Sequence, residues 1–192
     1  GIDKSDLVSV VQTDFVPYND LNEKQAVSIT LKHRLTKLTV ALTLGDQFEG
    51  ETVDGQPVAV ASMTLHNNFS SVMLKPGDEE QLYVDGSDYY EKDIQMHPTT
   101  VTTTEGTAAK PAFEAIGLFN VTGGTKLLTL TLNNGRSYTY TATDGVSQAF
   151  SESNGIAGHA FLLNLKVGKD KLEIADAADA VSVVPWDNAD NE

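Results

Sequence analysis

The chain has 192 residues, 13 of them basic and 27 acidic, for a formal net charge of −14, and 40% of it is hydrophobic. That is enough chain for one large domain with a proper core, and the composition is too ordinary for a disordered polymer. The acidic balance leaves no basic face to neutralise phosphates, which excludes nucleic acid as a partner and disfavours anionic membrane surfaces. With no cysteine, disulfides, thiolate zinc sites and Cys nucleophiles are excluded. No apolar run reaches the length of a membrane-spanning helix.

Leu7 to Gln12 is a short apolar run that predicts a strand, and Asp14 to Lys24, with Pro17 and Asn19, reads as a connector. Ala26 to Gly45 is the most strongly patterned stretch. Val27, Ile29, Leu31, His33 and Leu35 share one phase, while Leu38, Val40, Leu42 and Leu44 share the other. Alternation predicts a strand with one buried face. A one-residue slip sends every later side chain to the opposite face. The break at Leu35-Thr36-Lys37 therefore predicts either a bulge or an end and restart on another sheet. In the second case His33 to Lys37 is an elbow between two units.

Asp46 to Pro57 is a turn region with two glycines. Val58 to Leu65 alternates in either of two phases. The more apolar one, Ala59, Ala61, Met63 and Leu65, is expected inward. Pro76-Gly77-Asp78 signals a turn. Leu82 to Val84 is a short strand, Thr99 to Pro111 a loop or edge segment, and Phe113 to Val121 a strand with Gly117 at a bulge. Leu127 to Ala142 predicts a hairpin turning at Asn134-Gly135, with positive φ at both turn residues. A second hairpin runs from His159 to Ile174 through Gly168-Lys169-Asp170. Ala175 to Ala180 is too short for a stable helix, and Val181, Val183 and Val184 lead to Pro185-Trp186. Eight to ten short strands, turn punctuation and no long amphipathic helix predict an all-β chain, an antiparallel β-sandwich.

No catalytic constellation is visible, and the chain does not read as an enzyme. His33, His66, His97 and His159 are scattered without metal-ligand spacing, and His33 reads as a structural histidine on an apolar phase. Asp85 to Asp88 with Asp93, and Asp187 to Asp190, are oxygen-rich but lack calcium-loop spacing, so they read as solvated turns. No GxSxG occurs. No metal and no cofactor are expected. Tyr83, Tyr89 and Tyr90 form the one local aromatic cluster. They are the residues that would face a carbohydrate or host ligand if this were a surface-exposed binding module, the alternative reading.

Two segments together resemble the fimbrillin-like family of Bacteroidia, which supplies type V pilus and fimbrial subunits. The first is Ile29 to Val40, with alternating apolars, then His33, then Thr36-Lys37 and a second β run, preceded by Ser5-Asp6-Leu7-Val8. The second is the C-terminal order: the hairpin with Gly135 and Tyr138, then His159 to Leu165, then Val183-Val184-Pro185-Trp186. The departures are the missing lipobox cysteine, and Phe161 and Leu163 where the family often carries tyrosines. The resemblance implies a transthyretin-like β-sandwich with Greek-key-type connections, usually two per subunit. On that reading residues 1–34 are strands left from a preceding sandwich, and residues 35–192 are the main domain. It also implies export to the bacterial cell surface as a lipoprotein precursor of the outer membrane, and assembly with other fimbrial subunits by donor-strand exchange. Host proteins or glycans are further partners that it suggests. Val181, Val183 and Val184 are the candidate donor segment, being apolar and near a terminus.

Overall fold

The computed structural model describes residues 8–10, 31–69, 73–74, 82–83, 91–102, 109–119, 121–152, 158–168, 171–174 and 181–184. Within them the slip at Leu35-Thr36-Lys37 is a change of sheet. Strand β1 (Val8–Val10) pairs antiparallel with β2 (Leu31–His33) in a ladder of their own. The chain then breaks at Arg34-Leu35 and restarts as β3 (Thr36–Leu44) in a different sheet. The even phase now points inward, with Leu38, Val40 and Leu42 buried and Thr36 fully buried ahead of them.

After β3, a 3-10 turn at Asp46–Phe48 buries Phe48. A tiny hairpin follows, made of β4 (Thr52–Val53) and β5 (Gln56–Pro57). Asp54 and Gly55 both take positive φ, 51° and 76°, the paired left-handed turn that suits a two-residue hairpin. Strand β6 (Val60–Phe69) comes next, then β7 (Met73–Leu74) paired with β8 (Leu82–Tyr83). Strands β9 (Glu91–Gln95), β10 (His97–Val101), β11 (Lys110–Gly117), β12 (Lys126–Leu132) and β13 (Ser137–Thr141) lead to one helix, α1 (Asp144–Glu152). Strands β14 (Ala160–Val167), β15 (Leu172–Ile174) and β16 (Val181–Val184) complete the described chain. These sixteen segments exceed the eight to ten expected. Several are two or three residues long, too short to show a period.

Two sheets enclose the core. One has the order β10-β11-β3-β14, with β15 and β16 both on the far side of β14; the other has the order β13-β12-β6-β9. All pairings are antiparallel except β3 with β14, which run parallel with Leu38 opposite Phe161 and Leu42 opposite Leu165. These two strands are central and contribute the apolar residues of alternate positions: Phe161, Leu163, Leu165 and Val167 are fully buried. They share one core cluster with Met63, Leu65, Leu128, Leu130, Leu132, Tyr138 and Tyr140 of the other sheet. Burying a Leu or Phe side chain contributes on the order of 1.5–3 kcal/mol, so this layer carries the fold, an all-β sandwich with a single mixed pairing.

Three local expectations change. Around the start of β6, Ala59 and Ala61 are exposed, while Val58, Met63 and Leu65 are buried. Opposite Thr131 and Leu132, β6 offers Ser62 and Val60, so Ala61 is an extra residue in a bulge. Both sequence phases are therefore real, one on each side of the bulge. At the Asn134-Gly135 turn only Gly135 has positive φ, +82°. Gly135 N–H donates to Leu132 O (3.0 Å), Leu132 N–H donates to Arg136 O (2.8 Å), and Asn134 Oδ1 accepts from Arg136 N–H (3.0 Å). That is a three-residue loop with glycine at the bulge position. Gly117 is not at a bulge. It is the last residue of β11, opposite Thr36, and the Asn68 carboxamide fills the space a Cβ would need.

Candidate functional site

The C-terminal edge of the larger sheet is a strand in two pieces. Leu165, Lys166 and Val167 of β14 pair with Ile174, Glu173 and Leu172 of β15. Ala160, Phe161, Leu162 and Leu163 pair with Val184, Val183, Ser182 and Val181 of β16. The two pieces meet β14 on either side of one residue, Asn164. The three candidate donor valines all lie on β16, and the structure gives them different surroundings. Val181 is half-buried and packs against the core. Val184 is half-buried. Val183 is 56% exposed, the one exposed large hydrophobic among the described residues.

Val183 shares the inward phase of the ladder with Phe161, its partner across β14. Phe161 in turn stacks on Phe150 of α1, with ring centroids 4.3 Å apart. Helix α1 escaped the sequence reading because it is only nine residues long. Its signals are local. Thr143 caps it, the hydroxyl accepting from Val146 N–H (3.3 Å) and the carbonyl from Ser147 N–H (2.9 Å). Val146 and Phe150, four residues apart, are buried on one face.

On its other side β14 meets the elbow. Lys37 N–H donates to His159 O (3.0 Å), and Gly158 N–H donates to Leu35 O (2.9 Å). Gly158 has φ +79°, and a Cβ there would stand 2.8 Å from His33 O. Only glycine satisfies both conditions. Arg34 is buried beside it, at 6% exposure. His33 is half-buried at the end of β2. It belongs to this elbow, in keeping with a structural histidine.

A third feature lies on the outer face of the smaller sheet. His66 Nδ1 is 2.7 Å from Asp93 Oδ1, and its Nε2 is 2.9 Å from Thr129 Oγ1. A neutral ring donates from Nδ1 to the carboxylate and accepts the threonine hydroxyl at Nε2. The next residue, Asn67, is the extra one of a second bulge against β9, with φ +60°. Its Nδ2 donates to Lys126 O (2.8 Å). Hydroxyl, imidazole and carboxylate in that order are the parts of an acyl-transfer triad. Here the hydroxyl sits mid-strand on an outward sheet face, so the set fastens β12, β6 and β9 together across the bulge. Asp93, one of the oxygen-rich group, is thereby a partner of His66.

Of the expected ligand-facing aromatics, Tyr83 ends β8, and Tyr89 and Tyr90 lie outside the described residues. So do Asp85 to Asp88, Ala175 to Ala180 and Asp187 to Asp190. Among the described residues no group of three or more His, Cys, Asp or Glu side chains is placed to hold a metal ion. No helix among them is long and apolar enough to cross a membrane.

Comparison with known proteins adds three findings. The family described as fimbrillin-like matches residues 18–186. No curated protein matches the chain. Among solved structures, a candidate cell adhesion protein from Bacteroides uniformis is similar at 16% identity and a TM-score of 0.54, over 84% of this chain and 54% of that one. A candidate cell adhesion protein from Bacteroides ovatus matches at 12% identity and a TM-score of 0.44, over 83% of this chain and 46% of that one. The tip fimbrial protein Mfa3 from Porphyromonas gingivalis, C-terminally truncated, matches at 14% and 0.41, over 81% and 52%. The chain spans about half the length of these structures. The first likeness is one of fold.

Proposed function

Because the chain belongs to the fimbrillin-like family, we propose that it is a structural or adhesive subunit of a bacterial surface fimbria, joined to its neighbours by donor-strand exchange. The family match over residues 18–186 carries the reading. Export as a lipoprotein precursor to the outer membrane and a transthyretin-like topology are parts of the same proposal. So is the assignment of residues 1–34 to a preceding sandwich, which the separate β1–β2 ladder supports.

The physical logic is β-augmentation. A strand supplied by one subunit completes the sheet of another, its backbone giving hydrogen bonds and its alternate side chains filling pockets. Strand β16 suits the role of the exchanged segment. It is four residues long, lies at a sheet edge, and is set apart from β15 by residues 175–180. It presents Val183 to solvent. Releasing it opens the edge of β14 and leaves the core cluster otherwise intact. Edge strands with little burial belong to the least stable part of a fold.

The chain has no cysteine, so a single disulfide can be placed cleanly. Leu162 and Ser182 are direct cross-strand partners, within reach of a disulfide after substitution. Oxidised Leu162→Cys/Ser182→Cys protein is expected to stay monomeric under conditions where the wild-type chain and the reduced variant assemble. Size-exclusion chromatography and negative-stain microscopy read the outcome. Equal assembly of the oxidised variant, or no assembly of the wild-type chain, would sink donor-strand exchange through β16.

A further inference from the structure

The first turn of chain into β14 serves two joints at once. Gly158 and His159 hold the elbow through the bonds to Leu35 O and from Lys37 N–H. Ala160 lies opposite Lys37 on one side and opposite Val184 on the other. Phe161 likewise lies between Leu38 and Val183. The elbow is tightly fitted here, since a Cβ on Gly158 would strike His33 O and Thr36 is fully buried. Among the described residues, 158–161 are therefore the chain that separates the β2–β3 elbow from the C-terminal strand at this level of the sheet.

We propose that residues 158–161 couple the two, so that the pairing of β16 sets the rigidity of the elbow and with it the hold on the N-terminal β1–β2 ladder. The reason is the shared backbone. A strand paired on both sides has its twist fixed by both neighbours. One paired on a single side is free to twist further. When β16 leaves, the first half of β14 is held by β3 alone, and the peptide planes of His159 and Ala160 gain freedom. Those planes carry the bond from Lys37 N–H. The elbow loosens in step, and the N-terminal ladder registers whether the C-terminal strand is home. Coupling of this kind is reciprocal, so loosening the elbow weakens β16. The use of such a device rests on the donor-strand reading, but the coupling is a property of one chain and is measured without a second.

The experiment is amide hydrogen exchange by NMR on the full chain. Four samples are compared: wild type, Leu162→Cys/Ser182→Cys oxidised, the same variant reduced, and Gly158→Ala. Oxidation is expected to slow exchange about tenfold at the β16 amides and, with them, at Lys37 and Gly158, while amides of β12 in the other sheet stay unchanged. Gly158→Ala is expected to speed exchange at Lys37 and at the β16 amides together. If that variant does not fold, the oxidised and reduced pair decides alone. Slower exchange in β16 with Lys37 and Gly158 unchanged overturns the coupling. So does no change in β16, since a strand that never opens carries no signal. A lock that blocks assembly yet leaves Lys37 untouched removes the coupling and keeps strand exchange. A lock that slows Lys37 yet permits assembly does the reverse.

Discussion

Gly117→Ala tests the seam where the two sheets join. Asn68 of β6 forms a bridge with Phe119, just past β11, and Phe69 N–H donates to Leu118 O (3.0 Å). A Cβ on Gly117 would overlap Asn68 Oδ1 and stand 2.9 Å from Phe119 Cε1. Asn68 cannot simply swing aside. It is 7% exposed, and its Nδ2 is tied to Phe69 O at 2.9 Å. Overpacking of this kind costs about 1–3 kcal/mol. The lower backbone entropy of alanine in the unfolded chain returns about 0.5–1 kcal/mol. The expected net loss is about 1–2 kcal/mol. Asn68→Ala alone gives up one hydrogen bond, about 1 kcal/mol. It also removes Oδ1, a buried acceptor without a partner, so its net cost is smaller. In the double variant the overlap is gone, and the two substitutions together should cost at least about 1 kcal/mol less than their sum. Urea unfolding followed by circular dichroism, with matching m-values, measures all three. Strict additivity would refute the claim that Asn68 occupies the place of the missing Cβ.

Three further substitutions probe the core and the edge. Burial raises the Tyr140 phenol above its ordinary value near 10, and hydrogen bonding to Thr143 offsets only part of this. A raised pKa in the folded state means that this contribution is fully present below pH 10 and is lost as pH climbs past it. Tyr140→Phe should therefore leave neutral-pH stability unchanged or slightly higher, and it should flatten the alkaline decline seen in denaturant midpoints between pH 9 and 11. On β16, Val183→Asp should cost under about 0.5 kcal/mol, whereas Val181→Asp, which drives a charge toward the core, should cost about 2 kcal/mol or more by urea unfolding. Equal costs would mean that β16 is buried along its whole length.

The alternating runs were legible because burial on one face leaves a period of two. Leu38 to Leu42, Leu128 to Leu132 and Phe161 to Val167 all lie in the core cluster. The slip after Leu35 was legible as a slip, but not as a change of sheet, because the partner that separates the two readings, β1, is more than twenty residues away in sequence. The ambiguity at Val58 to Leu65 had the same root. A bulge at Ala61 makes both phases true, and no window of eight residues can show that. The Asn-Gly turn was placed correctly, yet its backbone differs, since Gly135 alone supplies the positive φ and the Asn134 side chain supplies a hydrogen bond. Helix α1 and the His66 set were missed for a shared reason. The helix is held by Phe150 on Phe161, and the histidine by residues of two other strands. Neither leaves a period in its own segment.

The parallel pairing of β3 with β14 explains why, among the described strands, the C-terminal edge is covered last. Two parallel strands cannot be joined by a tight turn, so β14 enters the sheet late, after the other sheet has been built between Val60 and Thr141. It lies beside β3, and among the described residues its far side is covered by chain beyond β14 in sequence. Strand β15 covers the half of β14 next to the Gly168 turn, where the hairpin makes pairing local. The half next to the elbow is covered by β16, a strand of four residues that follows residues 175–180 in sequence and whose Val183 stays in water. The order of the chain thus makes the last described strand one whose removal uncovers a ready-made ladder, with Val181 its one residue packed against the core cluster. On the proposed function, a strand from another subunit with the same alternation takes the same place. The late covering of this edge thus follows from a topological constraint, and the slip at Leu35 to Lys37, by sending the chain into the centre of this sheet, is where that constraint begins.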